Sequence, residues 1–389
     1  MWRVGASRRC HPARYANKFP TNKLSNRYFG LRPGVARTGC GRYAFLVDQA
    51  VSVPSHLIVI GTSAGGMPAL TQLVAQLPAT LPAAVLVVQH LAPDSTGAPL
   101  VTRLGHHTAL RCQLARHEAP LEAGNLYLAP PDHHLLVKDK RLLVTRGPRE
   151  NNYRPAADAL FRSAAVAFDS HVVGVVLTGM LHDGTAGLEF VKRCGGTAVV
   201  QDPADAEYPS MPESALRAVA VDHVVPLARM GALLAQLVSA APAGLPAAMN
   251  IPLDLQLEAA IAERVVGTAE QVSQLGHLVP LTCPDCGGNL WEVDHGQVLR
   301  YRCHTGHAFT AGALAESSQH ALEETLWVAL RMMEERHNLL NSMASHGGAP
   351  VNSHQAERIE DLKRHVNRMR EFLLSGSENH QAAKDAALE

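Results

Sequence analysis

Between Ser55 and about Leu237, six short aliphatic runs (residues 57–60, 84–88, 126–129, 172–177, 197–200 and 223–226) alternate with stretches of helical period. Runs this short and this apolar read as strands buried on both faces, and strands interleaved with helices call for a parallel sheet covered on each side. The fold class expected is α/β: a doubly wound, mostly parallel, Rossmann-like sheet over residues 54–240. Residues 135–137 and 142–145, separated by Lys138-Asp139-Lys140-Arg141, read as a hairpin at one edge. In such sheets ligands gather beyond the carboxyl ends of the strands. Chemistry is therefore to be sought in the residues that follow each run.

The first run hands over to Gly61-Thr62-Ser63-Ala64-Gly65, a Gly-x-Ser-x-Gly turn in front of a helix expected from Met67 to Leu77. Glycines on both sides let a crowded turn lift the serine oxygen above the sheet, and the helix start points amide dipoles at an oxyanion formed beside it. A serine hydroxyl needs a base, and the base an orienting group. His90 ends the second run (Val87-Val88-Gln89-His90), and Asp183 follows the 172–177 run in Thr178-Gly179-Met180-Leu181-His182-Asp183-Gly184. Three strand ends thus supply Ser63, His90 and Asp183 to one sheet edge. Taken singly, each has a plainer reading: a helix N-cap, a structural histidine and a turn residue. Glycines 61, 65 and 66 do not make the G-x-G-x-x-G spacing of a dinucleotide site. The order Ser, His, Asp also differs from the Ser, Asp/Glu, His order of α/β-hydrolases.

Composition bounds the rest. Formal charge is zero, but residues 1–47 hold ten Lys/Arg and no Asp or Glu; taking those ten from 35 leaves 25 basic against 35 acidic residues beyond them. So acidic a body has no general electrostatic reason to bind nucleic acid or anionic lipid. Residues 1–50 are expected to be a disordered tail or an over-extended start, with targeting or an anionic partner as the other options. No run approaches the roughly 18 apolar residues of a membrane span, and a cytoplasmic location is expected.

After an Ala/Pro/Gly-rich stretch at 240–249 comes a linker (241–280) with a helix near 253–265. Seven cysteines, an odd number, favour metal ligation over disulfides. Cys283, Cys286, Cys303 and His307 form C-x2-C…C-x3-H with sixteen residues between the halves. This is the spacing of a closed tetrahedral zinc site, structural and not catalytic, in a module of residues 281–312. His304 and His295 are rival fourth ligands. Over 313–376, Leu322, Leu326, Leu330, Met333 and Leu340 mark one helix, and Ile359, Leu362, Val366, Met369 and Leu373 repeat at heptad spacing in another. A helical hairpin or an intermolecular coiled coil follows, then a tail at 377–389.

Residues 54–235 resemble the catalytic domains of the chemotaxis protein-glutamate methylesterases (CheB). The resemblance rests on Gly61-Thr62-Ser63-Ala64-Gly65-Gly66, Val87-Val88-Gln89-His90, Tyr127-Leu128-Ala129-Pro130, Leu160-Phe161-Arg162-Ser163-Ala164, Leu177-Thr178-Gly179-Met180, Asp183-Gly184-Thr185-Ala186-Gly187-Leu188 and Gln201-Asp202-Pro203. It implies Ser63 as nucleophile, His90 as base, Asp183 as its orienting partner and the Met180 amide as an oxyanion donor. It also implies hydrolysis of glutamate methyl esters on chemoreceptors, with glutamine deamidation as a slower reaction of the same acyl chemistry. No catalytic cofactor is implied. Ala64 stands where the family often has Thr, and His182, in a place usually small or polar, is a candidate to compete with His90 or cap the site. Residues 1–50 are too short for the phosphoacceptor receiver domain typical of the family. Receiver-less members carry a similar Cys-rich module and helical tail. Partners expected are methylated chemoreceptors, with a receptor methyltransferase or self-association as options for the helices. An adaptor that keeps the fold for binding, and a serine hydrolase of another ester or amide, are the competing readings.

Overall fold

The computed structural model describes residues 53–239, 251–264, 267–346 and 353–385. The basic segment 1–50, the stretch 240–249, the turn at 347–350 and the last residues of the tail lie outside the described residues. The chain runs His56–Thr62 (β1), Gly66–Val74 (α1), Ala83–Gln89 (β2), Ala98–Gly105 (α2), Arg111–Leu114 (β3), Asn125–Leu128 (β4), His134–Lys138 (β5), Arg141–Thr145 (β6), Ala157–Phe168 (α3), Val172–Val176 (β7), Thr185–Arg193 (α4), Thr197–Gln201 (β8), Ser210–Ala218 (α5), His223–Val225 (β9) and Leu227–Ser239 (α6).

Seven strands form one sheet in the order β3-β4-β2-β1-β7-β8-β9, every pair parallel. In β1, Leu57 and Val59 face one core and Ile58 and Ile60 the other. That is why the run shows no polar alternation. Leu70, Leu73, Met230 and Leu234 of α1 and α6 cover one face; Phe161, Leu188, Phe190 and Met211 of α3 to α5 cover the other. The chain leaves β1 for β2 on one side and later returns to β7 on the other, so β1 and β7 flank the switch point where the strand order reverses.

Two features differ from the sequence expectation. Arg-Cys-Gln-Leu of β3 carries no aliphatic run, because it is an edge strand paired on one side only. The hairpin β5–β6 does not extend the main sheet: it is a two-stranded sheet of its own, tied to the 118–121 segment (Leu142 N to Ala119 O, 2.9 Å). It lies over α3, where Val137 N donates to Ser163 Oγ at 3.1 Å.

Beyond β9 and α6 come Leu253–Arg264 (α7), Ala269–Ser273 (α8), and a four-stranded antiparallel sheet of Gly276–Thr282 (β10), Asn289–Val293 (β11), Arg300–Cys303 (β12) and Ala308–Thr310 (β13). Thr268 caps α8 with a capping box, its hydroxyl accepting from Gln271 N and its N–H donating to the Gln271 side chain. Two long helices follow, Ala311–His346 (α9) and Ser353–Asp385 (α10). Leu330, Val366 and Leu373 are buried where they cross, with Leu326, Met333 and Met369 against them. The seam read from the sequence thus joins α9 to α10 as a hairpin, although Leu322 is exposed. Among the described residues no helix is long and apolar enough to cross a membrane.

Candidate active site

The end of β1 is held by backbone bonds that leave one hydroxyl outside them. Ser63 N donates to Thr178 O at 3.1 Å, Gly66 N to Ser63 O at 3.0 Å, and the buried Gln89 amide to Ser63 O at 2.8 Å. Gly65 has φ +70°, and a Cβ there would meet the Glu207 carboxylate and Thr178 Oγ1 at 2.9 and 3.0 Å, so only glycine completes the turn. The helix behind it is α1, which starts at Gly66 and ends at Val74, shorter than the sequence reading.

Ser63 Oγ lies 3.1 Å from His90 Nδ1, and His90 Nε2 lies 2.8 Å from Asp183 Oδ2. Asp183 has a fully buried side chain, and four donors meet it. Besides His90 these are Ala157 N at 2.6 Å, Asp158 N at 3.2 Å and Asn151 Nδ2 at 3.4 Å. Two of them are the first amides of α3, so a helix N-terminus faces the carboxylate. A carboxylate held this way can fix one tautomer of His90 and stabilise the imidazolium that forms when Nδ1 takes a proton. Tyr153 stacks flat on the His90 ring, centroids 3.7 Å apart.

Met180 sits in the loop after β7. The amides on either side of it are committed, Gly179 N to Tyr208 O at 3.0 Å and Leu181 N to Ser210 Oγ at 3.1 Å. Gly179 runs so close to Ser63 that a Cβ there would lie 3.0 Å from Ser63 Cβ. His182 neither competes with His90 nor covers the site. Its Nδ1 is 3.0 Å from Ser214 Oγ, and its ring lies against Gly312 at the start of α9. A cleft of about 300 Å³ opens beside His90, lined by Pro93, Arg149, Tyr153 and Arg154.

Sequence reasoning missed Asn151, Tyr153 and Asp158. Asp158 is buried behind Asp183, accepting from Gly187 N and Asn151 Nδ2, both at 2.6 Å. Burial, and then the charge of Asp183, push its carboxyl up to about 8. Since the folded value exceeds the unfolded one, the stability this group contributes is complete below about pH 4 and is lost as pH rises through about 8. We expect Asp158→Asn to flatten the stability curve across that window, as read from urea midpoints at stepped pH. An unchanged slope would show that Asp158 is ionised in the folded protein at neutral pH.

A second cluster lies in the module of β10 to β13. One ligand atom from each of Cys283, Cys286, Cys303 and His307 falls within 4.8 Å of all the others. Cys286 and Cys303 Sγ are 3.8 Å apart, close to the ~3.8 Å that two thiolates span across a tetrahedral ion with Zn–S of about 2.3 Å. Asp285 Oδ2 stands 3.6 Å from the other ring nitrogen of His307, where an orienting carboxylate is wanted. The rival ligands stand outside that set: the His304 ring packs edge-on to Trp291 and borders Gly288 beside Cys286, and the His295 carbonyl accepts from Arg300.

The CheB methylesterase family profile matches residues 58–234. A Leptospira interrogans protein, provisionally named protein-glutamate methylesterase/protein-glutamine glutaminase, is 38% identical over 183 residues, spanning 46% of this chain and 93% of that one. The Myxococcus xanthus protein-glutamate methylesterase FrzG is 37% identical over 184 residues, 47% of this chain and 55% of FrzG. The crystal structure of the Thermotoga maritima CheB methylesterase catalytic domain aligns with 33% identity over 47% of this chain and 98% of that domain, with a TM-score of 0.45. With nearly the whole of the Leptospira relative covered at this identity, the chain belongs to the CheB methylesterase family.

Proposed function

We propose that the protein is a protein-glutamate methylesterase that hydrolyses glutamate methyl esters on chemoreceptors through Ser63, His90 and Asp183. The observation that carries this reading is the continuous relay of hydrogen bonds from Ser63 Oγ through both nitrogens of His90 to Asp183. His90 Nδ1 takes the Ser63 proton as Oγ adds to the ester carbonyl. The Met180 amide, with the start of α1, stabilises the oxyanion. Collapse breaks the bond to the methoxy oxygen, His90 returns the proton, methanol leaves, and a glutamyl–Ser63 ester remains. Water, deprotonated by His90, then attacks that ester, frees the glutamate and restores Ser63. Glutamine follows the same path with ammonia as the poorer leaving group, hence more slowly. The cleft beside His90 gives the ester side chain its entry, and a cytoplasmic location follows from the receptor segments that carry such esters. Methanol release from a methylated receptor fragment tests this reading; a folded protein that releases none would overturn it.

The Cys283, Cys286, Cys303 and His307 set fits a structural zinc, which when bound would tie the 283–288 turn to the 303–307 turn. Gly287 serves the first turn at φ +70°, its amide donating to Cys283 O at 2.9 Å. We expect Cys303→Ser to lose the metal by elemental analysis and to lower the melting temperature, because folding of such modules is linked to metal binding. Exposed Met332, Leu339 and Met343 follow one stripe of α9 and mark the face where self-association or a receptor methyltransferase contact would form.

A further inference from the structure

Granted the assignment of Ser63, His90 and Asp183 above, we propose that Asn151 is a positioning residue of that site, and that strand β13 of the Cys/His module holds it in place. The C-terminal module would then be a working part of the active-site scaffold, joined to it through backbone and not merely tethered in sequence.

Asn151 is buried, 4% exposed, and makes polar contacts in two directions. Its Nδ2 donates to Asp158 Oδ2 at 2.6 Å and reaches Asp183 Oδ1 at 3.4 Å. Its Oδ1 accepts from Thr310 N at 2.9 Å, and its backbone N–H donates to Ala308 O at 2.8 Å. A side-chain amide carries donors and an acceptor on one short stem, so it can face carboxylates with one end and an N–H with the other. Neither a carboxylate nor an alkyl group of that size does both.

The β13 side is equally specific. β13 is the outer strand of its sheet, and a free edge presents unpaired N–H and C=O groups. Here the catalytic domain covers that edge: Glu150 forms a parallel bridge with Ala308, and Asn151 takes up Ala308 O and Thr310 N. The neighbouring residues extend the link at both ends. Asn152 Oδ1 accepts from Ser317 Oγ of α9 at 2.7 Å, and Tyr153 stacks on His90. Residues 150–153 therefore touch the module on one side and the base and its acid on the other. A shift of β13 would move the donor on Asp183 and the ring on His90 together.

The test is the rate at which a fluorophosphonate labels Ser63 in the full-length protein, read by mass spectrometry, together with the downfield proton resonance of the His90–Asp183 hydrogen bond. Asn151→Ala removes the link from the catalytic side. Thr310→Pro removes it from the module side, deleting the one N–H that faces Asn151, and Thr310→Val controls for the lost hydroxyl. We expect each of Asn151→Ala and Thr310→Pro to slow labelling by about tenfold and to shift the resonance, since small displacements of a catalytic group carry penalties of this order or more. The double variant should be no slower than either single one, and Thr310→Val should label like wild type. Wild-type labelling in Asn151→Ala, or additive losses in the double variant, would overturn the link while leaving the triad intact. Failure of wild-type Ser63 to label at all would instead overturn the triad reading and the link with it. If Asn151→Ala does not fold, Thr310→Pro against Thr310→Val decides alone: equal labelling in the two refutes the link.

Discussion

Ser63→Ala should lower methanol release from a methylated receptor fragment by a factor on the order of 10⁴ to 10⁶, the range seen when a serine nucleophile is removed from a working triad. The loss is this large because the neighbouring hydroxyls, Thr62 and Thr178 Oγ1, donate to the carbonyls of Thr178 and Ala64, whereas Ser63 Oγ meets His90. The fold should not suffer. Ser63 Oγ is bonded to His90 Nδ1, while the turn itself is held by Ser63 N and O, which alanine keeps. His90→Ala should cost about as much as Ser63→Ala, and the double variant little more than either, since residues that act as a unit are strongly non-additive. Asp183→Asn should cost less than either, because the helix N-terminus at Ala157 and Asp158 still orients the residue at 183, although its side chain then stabilises the imidazolium less. Residual hydrolysis in Ser63→Ala within tenfold of wild type would place the nucleophile elsewhere.

Local chemistry made the meeting of Ser63, His90 and Asp183 legible in the sequence, and the residues packed around them were hidden for the opposite reason. Ser63 announces itself through neighbours one and two positions away, and His90 and Asp183 through the aliphatic runs that precede them. Asn151 and Tyr153 lie in an aperiodic loop, and the partner that fixes Asn151 is 159 residues further on. No pattern in either segment links them. The module was legible as ligand spacing, but the strands that carry it were not: β10 exposes most of its residues and β13 has three. Edge strands of this kind are set by their neighbours more than by their own composition. Nothing in the sequence singled out Arg162 and Arg302 as buried, since Arg and Glu are surface residues unless something pairs them.

That pairing is the basis of the largest expected stability effect. Glu150, Arg162, Glu258, Arg300 and Arg302 are all nearly inaccessible and come from the loop before α3, from α3, from α7 and from β12. Glu258 is fully buried and takes Arg300 at 2.8 Å and Arg302 at 3.1 Å on one oxygen, with Arg162 at 4.0 Å. Glu150 meets Arg162 Nη1 at 3.1 Å and Nη2 at 2.5 Å, and Arg302 at 3.6 Å. Burial alone would raise both glutamates, but the guanidinium charges outweigh it, holding Glu258 below its ordinary range and Glu150 at about 2. The stability Glu150 contributes is therefore present above about pH 4.5 and lost as pH falls toward 2, and that of Glu258 is likewise lost on the acid side. Glu258→Ala leaves three buried guanidiniums facing one carboxylate. It should destabilise the protein by about 3–5 kcal/mol, the cost of breaking a buried pair by removing one partner. Replacing Glu258 and Arg300 together by Leu and Met should cost less than Glu258→Ala alone, because that exchange removes a charge of each sign and refills the space. Urea midpoints of the two variants decide the matter. A double variant less stable than the single one would mean that the ion cluster contributes net stability of its own, and would make the charges themselves, not apolar packing around α7, what fastens the module to the catalytic domain.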